Sequence, residues 1–399
     1  MKKTIAIIGS SFAGYTAAVH LSKLLNGKHE IIVIDQKPEF VFLPSFMWYP
    51  FNSQDLNEIS FDTRSVYDDL GIKFVERTVY GFDLEDQLIY TTDQDFHYDY
   101  LLIATGARPR YESIKGLKPP ENSWSICCDY KQVDKTRNKW KDFLSDPGPI
   151  VIGASQKAGY FFAAYEFLFN MLYHLHKENI LDKVPVHFVT SEPYLTHFGI
   201  GGMNEDPAIC EDLFNQFNIK THLNAEIHEI KSGQVRLEDG TNIDSDFTMI
   251  IPPFMGVNAV NTTRRLADEH GLIKVTERYH HPEYPNVYAA GGSVSIPQNY
   301  KFKVGLSVPR THTSSEIMAK TAAKNIAASL DGKPPVSITT EEIYEYIRKD
   351  MDYMKRMIFQ DYKNRYEALN LIAKGSQEKW TSYSLEKYRN AANNALSIK

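Results

Sequence analysis

One stretch near the start of the chain decides the fold: residues 4–35, TIAIIGSSFAGYTAAVHLSKLLNGKHEIIVID. It opens with a short apolar run that predicts a buried strand, breaks at Gly9–Gly14, and continues as a helix from Tyr15 to about Leu25. A second apolar run follows and ends on Asp35. A strand, a glycine turn, a helix and a second strand with a terminal acid form the βαβ unit that binds an adenine dinucleotide.

Each part of this unit has a predicted task at the dinucleotide. Gly9 permits the tight turn, and Gly14 lets the helix and the strand approach closely. The helix N-terminus offers N–H groups to a pyrophosphate, and the terminal acid accepts hydrogen bonds from a ribose. Ser11 stands where the motif has its second glycine, so the backbone approaches a phosphate less freely there. The predicted site comprises Gly9, Ser11, Phe12, Ala13, Gly14, Asp35 and Gln36.

Composition sets the broad class. The 399 residues are 43% hydrophobic and 24% charged, and this is typical of a globular protein with a sizeable core. A formal charge of -6, without a basic block, gives no reason to expect nucleic acid. No apolar run approaches the ~20 residues that cross a bilayer, and three cysteines exclude a disulfide framework. We expect a cytoplasmic protein, with peripheral contact at the inner face of the membrane left open.

Two later glycine turns extend the dinucleotide prediction. Tyr98–Gly106 reads as an acid, a buried strand and an Ala-Thr-Gly turn, which recurs as a second fingerprint of flavoproteins with two dinucleotide folds. Residues 286–293 read as a strand that returns the chain to the first domain beside a flavin. Before these regions, Ile72–Val75 and Leu88–Thr91 are predicted strands of a small sheet. The added cofactor residues are Ala104, Thr105, Gly106, Gly291 and Gly292.

A second βαβ unit starts with the strand at residues 150–153 and continues with a helix at 159–177 and a strand at 186–189. Its turn keeps one glycine of the phosphate-binding trio, so the prediction of an NAD(P)H site remains an open alternative. Lys157 in this turn is either solvated or in contact with a phosphate. The fold class is therefore α/β with two Rossmann-like domains. The predicted bounds are 1–112 with 285–330 for the FAD-binding domain, 113–284 for the second domain and 331–399 for a helical C-terminal segment.

The tail from Thr339 to Lys399 is predicted to be helical. An apolar stripe repeats there at three and four residues, which indicates core or a dimer contact. A membrane-surface helix is the alternative, although Asp350 and Asp352 beside the stripe weigh against it. We expect a homodimer. The stripe consists of Ile343, Ile347, Met351, Met354 and Ile358.

Several stretches together resemble the sulfide:quinone oxidoreductase and flavocytochrome c sulfide dehydrogenase family. They lie at residues 146–154, 164–167, 190–202, 250–257 and 284–291. The resemblance covers residue 4 to about 330. It implies FAD, bound non-covalently or through one thioether, and sulfide-derived sulfur oxidised at a cysteine pair on one face of the flavin. Electrons would leave to a quinone or a cytochrome on the other face.

The chain departs from this pattern at the cysteine pair. Gly159-Tyr160-Phe161 stands where one redox cysteine is expected, and the chain has no cysteine after Cys210. A phenol cannot carry a persulfide, so Tyr160 would shape a pocket rather than react. Cys127 matches a family cysteine that in some members bonds to the flavin 8-methyl group. Cys128 beside it is extra and allows a vicinal disulfide or a second thiol, or both are inert.

Two further residues take roles from the resemblance. Arg310 replaces a family lysine, and a cation near the flavin N1–C2=O edge stabilises the reduced anion. Glu166 matches a family glutamate near the active centre, with proton transfer or a structural ion pair as its alternatives. We expect no metal site, because the histidines lack ligand spacing.

The sequence predicts an FAD-dependent oxidoreductase that takes electrons from a small-molecule donor and gives them to a quinone or another acceptor without the cysteine-disulfide relay. Two alternatives remain open: an NAD(P)H-dependent enzyme similar to type-two NADH dehydrogenases, and an FAD-binding protein without turnover.

Overall fold

The structure, a computed structural model, describes residues 1–52, 55–202, 206–359 and 385–390. The elements up to residue 110 are β1 (Thr4–Ile8), α1 (Phe12–Leu25), β2 (Glu30–Asp35), β3 (Glu39–Val41), β4 (Ser60–Asp62), α2 (Arg64–Asp69), β5 (Lys73–Glu76), β6 (Val79–Asp83), β7 (Leu88–Thr91), β8 (Phe96–His97), β9 (Tyr100–Ile103) and β10 (Ala107–Pro109). Those from 130 to 261 are α3 (Tyr130–Ser145), β11 (Ile150–Ala154), α4 (Phe161–Lys177), β12 (Val186–Thr190), α5 (Asp206–Gln216), β13 (Lys220–His222), β14 (Ile227–Lys231), β15 (Gln234–Leu237), β16 (Asn242–Asp244), β17 (Phe247–Ile251), β18 (Phe254–Gly256) and α6 (Asn258–Asn261). The last are β19 (Val287–Ala289), α7 (His312–Asp331), α8 (Thr340–Phe359) and α9 (Leu385–Arg389).

The first sheet is parallel, with the strand order β19-β9-β1-β2-β5. Its central strand β1 pairs with β2 and β9, and the apolar runs of β1 and β2 are buried. Continuous apolar strands belong in a parallel sheet that is covered on both faces. The sheet therefore confirms the α/β reading of residues 4–35, and α1 begins at Phe12, three residues earlier than the sequence suggested.

One strand prediction is half wrong. Leu88–Thr91 does lie in a small antiparallel sheet, β6-β7-β8, but Lys73–Glu76 pairs in parallel with β2 at the edge of the first sheet. The chain reaches that edge through α2, so β2, α2 and β5 make another crossover unit. A local apolar pattern identifies a strand but not its partner, and here the intervening helix determines the pairing.

The second sheet repeats the arrangement. Its parallel strands have the order β13-β12-β11-β17, and the helix that follows the central strand β11 is α4. An antiparallel sheet, β14-β15-β16, accompanies it. This confirms two Rossmann-like units within one α/β chain, whereas the domain bounds stay a prediction.

The two units meet along a short antiparallel ladder. β10 follows the Ala-Thr-Gly turn of the first unit and pairs with β18, which follows the second sheet. The chain then returns through β19 to the first sheet, and α7 packs against α1. The ends of both sheets are thereby brought to the same region of the molecule.

The tail is helical wherever the structure describes it. In α8, Ile343 and Ile347 are buried, as the apolar stripe predicts. The side chains of Met351, Met354 and Ile358, and the remaining tail positions at 360–384 and 391–399, lie outside the described residues. The short helix α9 lies against the first unit, where Tyr388 contacts α1 and β3.

Candidate active site

The first glycine turn is too tight for any side chain. Gly9 has φ +99°, and a Cβ there would lie 2.4 Å from the carbonyl oxygen of Ala104. A Cβ on Gly14 would lie 1.9 Å from the carbonyl oxygen of Gly9. The turn therefore needs glycine at both positions, which is the backbone geometry of a dinucleotide-binding βα turn.

The groups around this turn suit a phosphate and a ribose. The N-cap residue Ser11 has an extended backbone and makes no side-chain cap hydrogen bond, so the first N–H groups of α1 remain available to an anion. The Asp35 carboxylate accepts hydrogen bonds from the N–H groups of Ser10 and Gln36, each at 2.6 Å. Burial raises the pKa of Asp35, and these hydrogen bonds partly offset the rise. A carboxylate has lone pairs beyond these two bonds for a ribose hydroxyl.

The other two predicted glycine turns lie beside the first. A Cβ on Gly291, which has φ +74°, would meet the Ala13 side chain at 2.9 Å. A Cβ on Gly292 would lie 3.3 Å from the Cα of Gly106. Within the described residues, the buried Oγ1 of Thr105 has no hydrogen-bond partner. Three backbone turns and an unpartnered hydroxyl thus surround one place that an extended dinucleotide can fill.

A cavity of about 170 Å³ continues from these turns and lies between the two units. Its walls are mostly aromatic and aliphatic, as a planar ring system requires. Among the predicted site residues, Phe12, Cys127, Cys128, Tyr160, Glu166 and Arg310 line it, and the remainder lie in the first turn of α1, at the end of β2 or in the turns that follow the strands. The other lining residues are Leu43, Pro44, Met47, Ile126, Gly159, Phe161, Phe162, Ala163, Ile251, Phe254, Pro309, Thr311, His312 and Ser315.

The residues present fit FAD. The α1 N-terminus and Asp35 suit the pyrophosphate and the adenosine ribose, and the apolar cavity suits the isoalloxazine ring. When bound, FAD supplies reversible two-electron chemistry. The chain's own residues position the cofactor, shield it from water and set the charge around it.

Tyr160 and Glu166 both face this cavity. Tyr160 precedes α4, and its ring lies 4.6 Å from the ring of Phe254, centroid to centroid. Burial raises the pKa of its phenol, so the hydroxyl remains protonated at neutral pH. Glu166, one turn into α4, is only 3% exposed. The sequence did not predict these two as a pair, but the cavity brings them into one site.

The three cysteines lie among the described residues and are free thiols. Cys127 is 7% exposed, and burial raises the pKa of its thiol well above the usual range. Cys128 is exposed and lines the cavity, and desolvation by the neighbouring protein, together with the charge of Asp129, raises the pKa of its thiol. A protonated thiol is a poor nucleophile, so neither is activated in this state. Cys210 is buried in α5, outside the cavity lining.

Arg310 fixes one edge of the cavity. Its Nη1 donates to the carbonyl oxygens of Gly292 and Val294, both at 2.8 Å, and its backbone N–H donates to Gly159 at 3.3 Å. Burial lowers its pKa, and the nearby Tyr160 acts in the opposite direction. A guanidinium titrates so high that this cation persists at neutral pH. Arg310 therefore ties the returning segment to the second unit and places positive charge at the cavity.

Sequence reasoning missed His312 as a cavity residue. It is the first residue of α7, and its ring lies 5.8 Å from that of Phe12. The available signal was the capping pattern at Thr311 and Ser314, which places the start of the helix here. Leu43, Pro44 and Met47 line the cavity, whereas Phe46, Trp48 and Tyr49 are buried.

The turn of the second unit is occupied by the protein itself. The Lys157 N–H donates to Gly305 at 2.6 Å, and the Ser307 N–H donates to Ala158 at 3.0 Å. The Gln156 side chain bonds to both backbone groups of Ile227. The side chain of Lys157 is exposed, in line with the solvated alternative.

The known proteins to which this chain is similar agree with the dinucleotide-binding geometry described above. The sequence profile of the family described as pyridine nucleotide-disulphide oxidoreductase matches residues 3–305. A sulfide-quinone reductase of Aquifex aeolicus is 31% identical over 341 residues, which cover 84% of this chain and 78% of that protein. A mitochondrial sulfide:quinone oxidoreductase of Dictyostelium discoideum is 22% identical, with 73% of this chain and 66% of that protein covered.

Among solved structures, the sulfide:quinone oxidoreductase of Aquifex aeolicus superposes with a TM-score of 0.79 at 31% identity, over 83% of this chain and 78% of that one. A chain of the mitochondrial ATP synthase of Tetrahymena thermophila shares the fold at 14% identity, with a TM-score of 0.67 over 99% of this chain and 96% of that one.

In the ranges 1–52, 55–202, 206–359 and 385–390, the helices are too short or too polar for any of them to span a bilayer. The same part of the chain holds no group of three or more His, Cys, Asp or Glu side chains placed to share a metal ion.

Proposed function

Because the chain belongs to the sulfide:quinone oxidoreductase family of the pyridine nucleotide-disulphide oxidoreductases, we propose that it moves electrons through FAD from a small donor to a quinone without a cysteine-disulfide relay. One observation carries this proposal. The cavity wall presents Tyr160, a protonated phenol, where a relay would need a thiol. The two thiols that do line the cavity are adjacent in sequence and have raised pKa values.

The cavity residues divide into binding and proton-handling groups. Aromatic walls such as Tyr160 and Phe254 hold a small donor beside the ring and exclude water. Arg310 and the N-terminus of α7 place positive charge where reduction adds negative charge. Glu166 is the buried carboxyl in the same cavity and serves as the acceptor for the donor's proton.

We further propose that FAD binds non-covalently, although Cys127 lies in the cavity where a thioether could form. Denaturing the holoprotein tests this directly. All flavin in the soluble fraction is the expected result, whereas flavin that stays with the precipitated chain would show the tether.

The nicotinamide alternative depends on the second βα turn. Backbone hydrogen bonds from the 305–307 segment cover that turn, which supports a donor other than NAD(P)H. Fast bleaching of the flavin by NADH would favour the alternative. Bound FAD that no donor reduces, together with a stable complex with another protein, would favour a protein without turnover.

The proposal is tested by anaerobic mixing of the holoprotein with sulfide, NADH or NADPH while the flavin absorption band is followed. We expect that neither nicotinamide bleaches the flavin. Any bleaching by sulfide should persist when Cys127→Ser and Cys128→Ser are combined, with Cys210→Ser as the control outside the cavity. Loss of sulfide bleaching in the double variant, but not in the control, would contradict the proposal and restore a thiol relay.

The acceptor side has its own test. A short-chain quinone should reoxidise the photoreduced protein, and Glu166→Gln should slow donor-driven reduction without slowing this reoxidation. We propose that the quinone is reached by peripheral contact with the inner face of the membrane and that the protein is a homodimer. Vesicle flotation and sedimentation equilibrium test these two statements.

A further inference from the structure

The short helix α9 (Leu385–Arg389) is held on the first unit by its tertiary contacts. A helix of this length is not stable in isolation, because forming the first turn costs more free energy than the hydrogen bonds of a single turn recover. Leu385 is 2% exposed and Tyr388 is 4% exposed, so both side chains are buried against the rest of the molecule. The order of α9 must therefore come from the surface on which it lies.

Its polar contacts converge on one carboxylate. The Lys387 Nζ lies 2.9 and 3.0 Å from the two carboxylate oxygens of Glu316 on α7, and the Tyr388 hydroxyl donates to the same carboxylate. The Glu316 side chain is 6% exposed. Burial pushes the pKa of Glu316 up, but the Tyr388 hydrogen bond and the charges of Lys387 and Lys320 outweigh it and lower the pKa. Glu316 is thus a buried anion whose neutralisation depends in part on α9.

Hydrogen bonds to backbone carbonyl oxygens complete the attachment. The Tyr15 hydroxyl on α1 donates to the carbonyl oxygen of Tyr388 at 2.7 Å. The Arg389 Nη2 donates to the carbonyl oxygen of Ser60 at 2.9 Å. α9 therefore bonds to α1, β4 and α7 at once and joins three parts of the first unit.

The ring of Tyr388 reaches the wall of the flavin cavity. It lies 5.4 Å from the ring of Phe12 and 4.7 Å from that of Phe40, centroid to centroid. Phe12 is the first residue of α1 and itself lines the cavity. On α7, Glu316 directly follows Ser315, which also lines the cavity. On α1, Phe12 lies between Tyr388 and the cavity, and on α7, Ser315 is the cavity residue next to Glu316.

We propose that α9 is a latch on the FAD site, in which Glu316, Lys387 and Tyr388 are positioning residues that hold the first turns of α1 and α7 against the cofactor. Retention of FAD then depends on Lys387 and Tyr388, which lie 71 and 72 residues after Glu316 in the chain. The latch requires only that FAD is bound, and it is independent of the donor and acceptor proposed above.

The chain offers a matched pair of variants for the test. Lys387→Gln and Lys320→Gln each remove one ammonium group from Glu316, but only Lys387 belongs to the latch. Both are made in a Cys127→Ser, Cys128→Ser background, in which no thioether can hold the flavin. The rate of FAD dissociation from the holoprotein is followed by the rise in flavin fluorescence after dilution into a flavin-binding scavenger. Far-UV circular dichroism and the unfolding temperature report on folding.

We expect Lys387→Gln to speed FAD dissociation by about tenfold, which corresponds to about 1.4 kcal/mol. Lys320→Gln should change the rate by less than about threefold, because Lys320 and Glu316 form an i,i+4 pair within α7 that does not attach α9. Tyr388→Phe, which keeps the ring against Phe12 and loses the hydroxyl, should fall between them. Equal dissociation rates for Lys387→Gln and Lys320→Gln, whether both rise or both stay at the parent value, would overturn the latch.

Discussion

The two βα turns of this protein share a fold and differ in what fills them. At the first turn, α1 starts directly after the glycine turn, and its cap residue Ser11 makes no side-chain bond. At the second turn, the backbone of Lys157 and Ala158 is bonded to the 305–307 segment of the same chain. Within the described residues, the second turn is therefore bonded to a later segment of the chain, whereas the cap residues of both helices, Ser11 and Tyr160, make no side-chain cap hydrogen bond.

The acids at the ends of the second strands show the same contrast. Asp35 is partly exposed beside the first turn and accepts two backbone hydrogen bonds. Glu192 is 0% exposed, and it accepts from the hydroxyls of Tyr165 and Thr190 and from the Phe198 N–H. Asp35 is the predicted ribose ligand, whereas Glu192 holds together the loop that follows its strand. A shared topology therefore does not imply a shared ligand.

The largest effect should come from the glycine at the start of α1. Gly14→Ala places a Cβ 1.9 Å from the Gly9 carbonyl oxygen, and Gly153→Ala places one 1.8 Å from that of Val189. Both clashes should lower the free energy of unfolding by about 3 kcal/mol. Only Gly14→Ala should also lower the FAD content of the folded fraction, measured as flavin absorbance per protein. A similar FAD loss in Gly153→Ala would show that both turns serve the cofactor.

The second prediction uses pH to separate the two acids. Burial raises the pKa of Glu192 from 4.5 to about 7, against the hydrogen bonds that it accepts. Because the folded state binds this proton more tightly than the unfolded chain, the contribution of Glu192 to stability is full at low pH. It is lost as the pH rises through about 7, by roughly 3 kcal/mol. Glu192→Gln should flatten the stability profile between pH 5 and about 8 and leave FAD bound.

Asp35→Asn is the matched variant in the first unit. The pKa of Asp35 is also raised by burial, so the sign of its pH dependence is the same. Here we expect weaker FAD binding as the main result, because Asp35 is the predicted ribose ligand. Urea unfolding across this pH range, with FAD content measured in parallel, checks both variants. A steep pH profile that survives Glu192→Gln would contradict the assignment.

The first βα turn could be predicted from the sequence because its signals are local. Gly9, Gly14 and Asp35 lie in one continuous unit, and each has a steric or polar reason that holds in any context. The second turn was ambiguous for the opposite reason. The hydrogen bonds that cover this turn come from Gly305 and Ser307. Ser307 lies 150 residues after its partner Lys157 in the chain.

The same distinction explains the other outcomes. The partner of β5 and the cavity position of His312 depend on contacts between distant segments, which periodicity does not encode. The latch contact between Glu316 and Tyr388 spans 72 residues and left no pattern that could be recognised in the sequence. The bounds of the domains and the roles of the individual site residues stay predictions.

The smallest effect should come from loosening the second turn. The Ser307 hydroxyl donates to the Lys157 carbonyl oxygen at 2.9 Å, and Ser307→Ala removes this bond alone. The free energy of unfolding should fall by about 1 kcal/mol, and the flavin should remain unreactive toward NADH and NADPH. Stopped-flow mixing at millimolar nicotinamide tests the second statement. If Ser307→Ala allowed NADPH to bleach the flavin, the second turn would be an intact site held shut by one segment. The difference between the two turns would then be conformational, and the absence of a glycine trio would not be its cause.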